Sequence, residues 1–147
     1  CSGNLFRSPT AEILLKSFNN KNLIVSSAGT SERQSGKLMS KKMYNLLLER
    51  GFECTRKRSE TVTDDMAKTA DLILYMDNAN RKKLELKFSS IIDVVKLQPI
   101  VKFSSFNLEK IKDPCFFKKK EEFEYTVNMI YDCCDNINKT YGGENHG

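Results

Sequence analysis

Short apolar runs alternating with helical patterns predict an α/β domain, an open parallel sheet of about four strands with helices on both faces. Three observations carry this reading. Asp71 to Met76 (DLILYM) is a near-continuous apolar run, the pattern of a strand covered on both faces. Amphipathic segments with helix start and stop signals stand on either side of it. At 147 residues, with 39% hydrophobic and 29% charged residues, the chain has the size and composition of one globular domain.

Taken in order, Ser8 is placed to N-cap a first helix with Pro9 at its first position, and Ala11, Ile13, Leu14, Leu15 and Phe18 form its apolar face. Leu23 to Ser27 reads as a strand ending at Ala28-Gly29-Thr30. A helix over Ser40 to Arg50 carries Met43, Leu46, Leu47 and Leu48, with Gly51 where a left-handed C-terminal residue belongs. After the Asp71–Met76 strand, Asp77 caps a helix over Asn78 to Lys87, and Ile91 to Leu97 supplies another strand. Gln98 to Phe117 has no sustained period and reads as a long loop. Phe123, Val127, Ile130, Cys134 and Ile137 form one stripe of a last helix over Lys119 to Thr140. The expected domain is therefore 1–140, with 141–147 as a flexible tail.

No apolar run approaches the ~18 residues a membrane span requires, so no membrane role is expected. Lys plus Arg number 24 against 19 acidic residues, a net +5 mixed along the chain. The basic clusters Arg56-Lys57-Arg58 and Lys118-Lys119-Lys120 lack interleaved aromatics, which argues against nucleic acid. The five cysteines (1, 54, 115, 133, 134) have no C-x-x-C spacing and the only histidine is His146. Zinc is therefore not expected, and no other cofactor is called for. Free thiols point to a reducing compartment, the cytoplasm.

The chemistry concentrates at Cys1-Ser2-Gly3-Asn4-Leu5-Phe6-Arg7-Ser8-Pro9. A Cys and an Arg separated by five residues can close a loop around a tetrahedral anion. Gly3 and Asn4 readily enter left-handed conformations, so successive N–H groups from Ser2 to Arg7 can converge into an anion nest. The helix opening at Ser8-Pro9 aims its positive end into the same concavity, and Arg7 offers a planar fork to two phosphate oxygens. Such surroundings are expected to lower the Cys1 thiol from about 8.5 into the roughly 3.5–7.5 range of activated cysteines.

CSGNLFRSP resembles the phosphate-binding loop of the low-molecular-weight protein tyrosine phosphatases, whose pattern is C-x-G-N-x-C-R-S-P. The resemblance extends through Ser26–Thr30 (SSAGT), Asp71–Asn80 (DLILYMDNAN) and Ile111-Lys112-Asp113-Pro114. It implies a two-step reaction. Cys1 attacks phosphorus while Asp113 protonates the leaving phenol oxygen; Asp113 then activates the water that hydrolyses the phosphocysteine. Arg7 and the amides of residues 2–8 would hold the phosphoryl oxygens, Ser8 would hydrogen-bond the thiolate, and Asn4 would support the loop by bonding Ser8 and Ser27. The implied partners are tyrosine-phosphorylated proteins, with phosphate or sulfate able to occupy the loop of a monomeric enzyme.

Departures from the family pattern sharpen the expectations. Phe6 replaces a second loop cysteine, removing its disulfide with the nucleophile. Leu5 resembles the tyrosine-directed branch, whereas the arginine-phosphatase branch typically has Thr there. Arg33, Cys115 and Phe116 fall where the family builds its substrate pocket, with Leu5 as the fourth wall. Arg56-Lys57-Arg58 replaces a His-containing stretch. The resemblance also implies a central strand immediately before Cys1 that the chain as given lacks, so a fragment is expected. The alternatives are a non-catalytic phosphopeptide-binding module, an arginine phosphatase, or an arsenate reductase, which would need further cysteines placed as a relay.

Overall fold

A computed structural model describes residues 1 and 3–142. Helices α1 (Arg7–Lys16) and α5 (Lys120–Ile137) pack against each other, and α2 (Lys41–Glu49) joins them around the larger core. Leu14, Met39, Met43, Leu47, Val127 and Ile130 are among its most completely buried residues. The expected stripe on α5 is all buried: Phe123, Val127, Ile130, Cys134 and Ile137. The helix ends three residues before Thr140 and continues as a wider turn, Asn138–Gly142. Tyr141 and Gly142, expected in the tail, are docked: the Tyr141 ring meets Phe103 edge-on at 5.8 Å, and the Gly142 carbonyl accepts from Asn22. The rest of the tail, with His146, lies outside the described residues.

The sheet is parallel, as expected of an α/β chain. Strand β1 (Ile73–Tyr75) pairs with β2 (Leu97–Pro99) through Ile73↔Leu97, Leu74↔Gln98 and Tyr75↔Pro99, and α4 (Asn78–Phe88) forms the crossover. Asp77 caps α4 as expected, its carboxylate accepting from Asn80 N–H. Two strands in this ladder stand against about four expected. Leu23–Ser27 joins no ladder among the described residues, although the backbone enters one just beyond it. Cys1 N–H donates to the Ala28 carbonyl, and Thr30 N–H returns the bond to Cys1. That exchange is the pairing pattern of parallel strands.

The second expected strand, Ile91–Leu97, is displaced. Ile91 and Ile92 donate back to Phe88 and close the end of α4, residues 94–96 form a 3₁₀ turn, and pairing begins only at Leu97. Apolar composition there serves a second core of Ala67, Leu84, Phe88, Ile92 and Leu97 rather than a ladder. Its Ala67 lies on a helix the periodicity did not reveal, α3 (Asp64–Thr69), capped by Thr63 and only six residues long. The 98–117 segment is irregular apart from the end of β2 and two 3₁₀ turns, Ile100–Phe103 and Pro114–Phe116.

Helix α2 ends as the sequence indicates. Gly51 has φ +87°, its N–H bonds Leu48, and Phe52 N–H reaches Leu47. These are the paired bonds of a Schellman motif. A side chain in that left-handed conformation costs about 1–2 kcal/mol. Gly51→Ala should therefore lower unfolding stability by that amount, measured by urea titration, with the fold otherwise unchanged.

Candidate functional site

Residues 3–6 form a series of bends that lead directly into α1. Three of the loop's carbonyls are engaged from outside: Cys1 by Thr30 N–H, Leu5 by Ser40 N–H at 2.8 Å, and Phe6 by the Thr10 hydroxyl at 2.7 Å. Turning the carbonyls outward leaves the amides for the interior. Among the described residues, no protein acceptor takes the N–H groups of Gly3, Asn4, Leu5, Phe6 or Arg7. With the helix N-terminus at Arg7, these unengaged donors gather at one end of α1, the kind of arrangement that can accept an anion. Ser2 lies outside the described residues.

Asn4 takes the left-handed conformation, φ +55°, and is fully buried. Its carbonyl oxygen accepts from Glu60 N–H, and its amide nitrogen donates to both Ser8 and Ser27 at 3.0 Å. Space is tight at Gly3, where the Gln34 side chain would have to give by a few tenths of an ångström for a larger residue. A Cβ at Gly3 would lie 3.2 Å from Gln34 Cγ. Ser8 is not the N-cap. Helix α1 begins one residue earlier at Arg7, Phe6 is the capping position, and Pro9 falls third in the helix, where its missing N–H is still harmless. The Ser8 hydroxyl is engaged elsewhere, 3.0 Å from Cys1 Sγ.

The Arg7 side chain is 2% exposed, and burial of a cation demands a partner. Nη1 donates to Asp77 Oδ2 at 2.8 Å and to the Ile111 carbonyl at 2.7 Å, while Nη2 lies 3.7 Å from Asp113 Oδ2. Burial alone would raise the Asp77 carboxyl, but hydrogen bonds from Arg7 and Asn80 N–H outweigh it and hold the group below the ordinary carboxylate range. Asp113 reaches the site because Ile111 N–H bonds Met76 at the end of β1. Its other carboxylate oxygen accepts from Cys115 N–H and starts the Pro114–Phe116 turn.

The structure therefore brings Cys1, Arg7, Ser8, Asn4 and Asp113 together from the sequence-derived set. Leu5 and Phe6 line the loop, half-buried, and Cys115 and Phe116 stand exposed on the turn after Asp113. Arg33 is exposed on the turn Glu32–Gln34, and its neighbour Gln34 is the residue that packs on the loop. Sequence reasoning gave Asp77 only its capping role; its place directly after an apolar strand was the available signal for more. Nothing in the pattern singled out Gln34 or Glu12.

The remaining thiols are less suited to nucleophilic work. Burial raises Cys54, burial and then the Asp113 charge raise Cys115, and burial pushes Cys133 up to about 12 and Cys134 higher still. No helix among the described residues is long and apolar enough to cross a membrane.

The profile described as "Low molecular weight phosphotyrosine protein phosphatase" matches residues 1–145. The chain belongs to this family. A chicken (Gallus gallus) low molecular weight phosphotyrosine protein phosphatase is 27% identical over 91% of this chain and 87% of its own. Among solved structures, the protein tyrosine phosphatase of Entamoeba histolytica with Hepes in its active site superposes with TM-score 0.80 at 27% identity, covering 93% and 90% of the two chains. The Drosophila arginine phosphatase superposes at 0.87 with 26% identity over 98% and 96%. The fold is thus the family's α/β fold, and the family is one of phosphatases, which are hydrolases.

Two outcomes follow from the buried cation. Asp77→Ala removes the nearer of the two carboxylates beside buried Arg7, leaving only Asp113 at 3.7 Å, and should cost up to about 3 kcal/mol, read by urea titration. Asp77 and Glu12 both have carboxyls held below their ordinary values, Glu12 because bonds from Lys16, Ser27 and Lys57 outweigh its burial. The stability they contribute is complete above the unfolded carboxylate range, near pH ~4, and is lost as pH falls through the lowered folded values. Thermal unfolding between pH 7 and pH 3 should show a falling midpoint at the acid end, and Asp77→Asn should shrink that dependence.

Proposed function

We propose that this chain is a cysteine-dependent protein tyrosine phosphatase acting through a phosphocysteine intermediate. The observation that carries the reading is the Ser8 hydroxyl 3.0 Å from Cys1 Sγ at the opening of the helix whose first residue is the buried Arg7. A hydroxyl donating to sulfur favours the thiolate, the form that attacks phosphorus. The unengaged amides of the loop and the Nη2 group of Arg7, whose Nη1 hydrogens are both spent on Asp77 and Ile111, would receive phosphoryl oxygens, whose charge must be stabilised as the bond to the leaving group breaks.

The steps balance as follows. The Cys1 sulfur lone pair forms the S–P bond, the P–O bond to the phenol breaks, and Asp113 gives its proton to the departing oxygen. Asp113 next removes a proton from water, whose oxygen attacks phosphorus; the S–P bond breaks, returning the thiolate and releasing inorganic phosphate. Asp113 is 44% exposed, with one oxygen hydrogen-bonded by Cys115 N–H and the other only in a long 3.7 Å approach to Arg7, which leaves that second oxygen able to turn toward a leaving group.

An arginine phosphatase is the second reading, supported by the likeness to the Drosophila enzyme. Leu5 favours tyrosine: an apolar side chain at the loop rim packs on a phenyl ring and offers a guanidinium no hydrogen bond. Tyrosine-phosphorylated proteins are accordingly the proposed substrates. The test is turnover of an aryl phosphate, a phosphotyrosine peptide and a phosphoarginine peptide. We expect the first two to be hydrolysed faster, Cys1→Ser to abolish hydrolysis by more than about a thousandfold, and Asp113→Asn to slow it about 10²–10⁴-fold. Faster phosphoarginine turnover would select the second reading, and phosphopeptide binding without turnover would leave a binding module.

A further inference from the structure

Helix α4 is strongly basic. Arg81, Lys82, Lys83 and Lys87 stand against one acidic residue, Glu85, and among the described residues only Lys87 of the four has an ion pair, 3.5 Å from Glu32. Positions 83, 84, 87 and 88 share one stripe at helical spacing. Leu84 and Phe88 are buried in the second core, while Lys83 and Lys87 stand exposed at its edge. The proposed reaction uses none of these lysines.

Across from the stripe, two loop segments pair in parallel. Gly29 N–H donates to the Glu60 carbonyl at 2.7 Å, and the Gly29 carbonyl accepts from Val62 N–H at 2.9 Å, which makes the bridge Gly29↔Thr61. This pairing sets Thr30 and Thr61 on the wall of a small cavity that α4 closes with Leu84, Phe88, Lys83 and Lys87. Both threonine hydroxyls are buried, and neither has a hydrogen-bond partner among the described residues. A hydroxyl left unpaired away from water is costly, and valine would fill the same volume without that cost. Two such hydroxyls in one cavity mark a place for a polar occupant.

Size and charge select that occupant. The inner space, about 10 Å³ traced by the centre of a water-sized sphere, takes one oxygen atom, and the hollow around it, about 180 Å³, opens to solvent. One oxygen inside and the remaining atoms at a mouth lined by two ammonium groups describe a tetrahedral oxyanion. The hydroxyls donate to its inner oxygen, and the lysines meet the outer ones with charge-assisted bonds. The Lys87–Glu32 pair is exposed, 49% and 80% for its two side chains, and such pairs are weak enough to yield to a divalent anion. Glu60, the other carboxylate beside the bridge, lies 3.6 Å from Lys57. Thr30 belongs to both sites, because its N–H holds the Cys1 carbonyl while its hydroxyl faces the cavity.

We infer a second oxyanion site, separate from the loop at residues 3–7, in which Thr30, Thr61, Lys83 and Lys87 bind a phosphate group. It does not depend on the phosphatase reading, and its test needs no turnover. Isotope-labelled protein is titrated with inorganic phosphate and followed by amide chemical shifts. Two sets should move with separate affinities, residues 3–7 and, independently, Thr61 with residues 83–88. Sulfate should reproduce the second set, and chloride at equal ionic strength should not. Lys83→Met and Thr61→Val should each weaken the second set about tenfold, the loss of one charge-assisted bond, and leave the first unchanged. No movement at Thr61 and 83–88, an equal response to chloride, or unaltered affinity in both folded variants would overturn the inference and leave the cavity to a water molecule. Movement there with none at residues 3–7 would instead refute the phosphate loop of the proposed function and leave this site standing. Peptide binding to Cys1→Ser protein separates two sources of the phosphate. A doubly phosphorylated peptide that binds more tightly than its singly phosphorylated form, with the gain lost in Lys83→Met, makes it a second phosphoryl group of the substrate; equal binding of the two makes it free phosphate.

Discussion

Burying the guanidinium of Arg7 sets the terms for much of this fold. A cation removed from water needs full compensation, and two parts of the chain distant from α1 supply it: the cap of α4 contributes Asp77, and the segment before Pro114 offers the Ile111 carbonyl and, further out, Asp113. Satisfying one side chain thereby fixes how the end of β1, the start of α4 and the Asp-Pro turn meet the loop at residues 3–6. In the proposed reaction a doubly charged phosphoryl group would gain from such preorganisation, since no donor would have to be recruited during the reaction.

Local chemistry was legible wherever a short-range rule governs. Asp77 and Gly51 announce the ends of their helices by residue type and position, and the α5 stripe follows from spacing alone. The loop was legible because cysteine, asparagine, arginine and serine there act within nine residues of one another. The exceptions have a common physical origin. Ser8 has the composition of an N-cap, but Cys1 and Asn4 compete for its hydroxyl and win. Ile91 and Ile92 look like strand residues, but the end of α4 recruits their amides and the second core takes their side chains. In each case a tertiary partner outbids a local preference that was correctly read.

Long-range partnerships were not legible. The Arg7–Asp77 pair spans 70 residues, Asn4 is secured by Glu60, and Lys57 reaches back to Glu12. No periodicity encodes such pairs; a charged residue on a mostly apolar helix such as α1 reads equally well as a solvated face. Helix α3 went unseen because six residues are too few to display a period, leaving only Thr63 and the acidic first turn as markers. Gln34 likewise carried no sequence signal, although its side chain lies where a Cβ at Gly3 would meet it, one residue along the same turn as exposed Arg33.

The central claim is that sulfur of Cys1 becomes covalently bonded to phosphorus during turnover. It is tested most directly by acid-quenching the protein within the first turnovers of an aryl phosphate and mapping the phosphoryl group by mass spectrometry. The account predicts a phosphoryl adduct on the Cys1 peptide, formed together with a burst of phenol and enriched by Asp113→Ala with an activated leaving group. Phosphate released at full rate with no adduct on Cys1, or an adduct on any other residue, would contradict it.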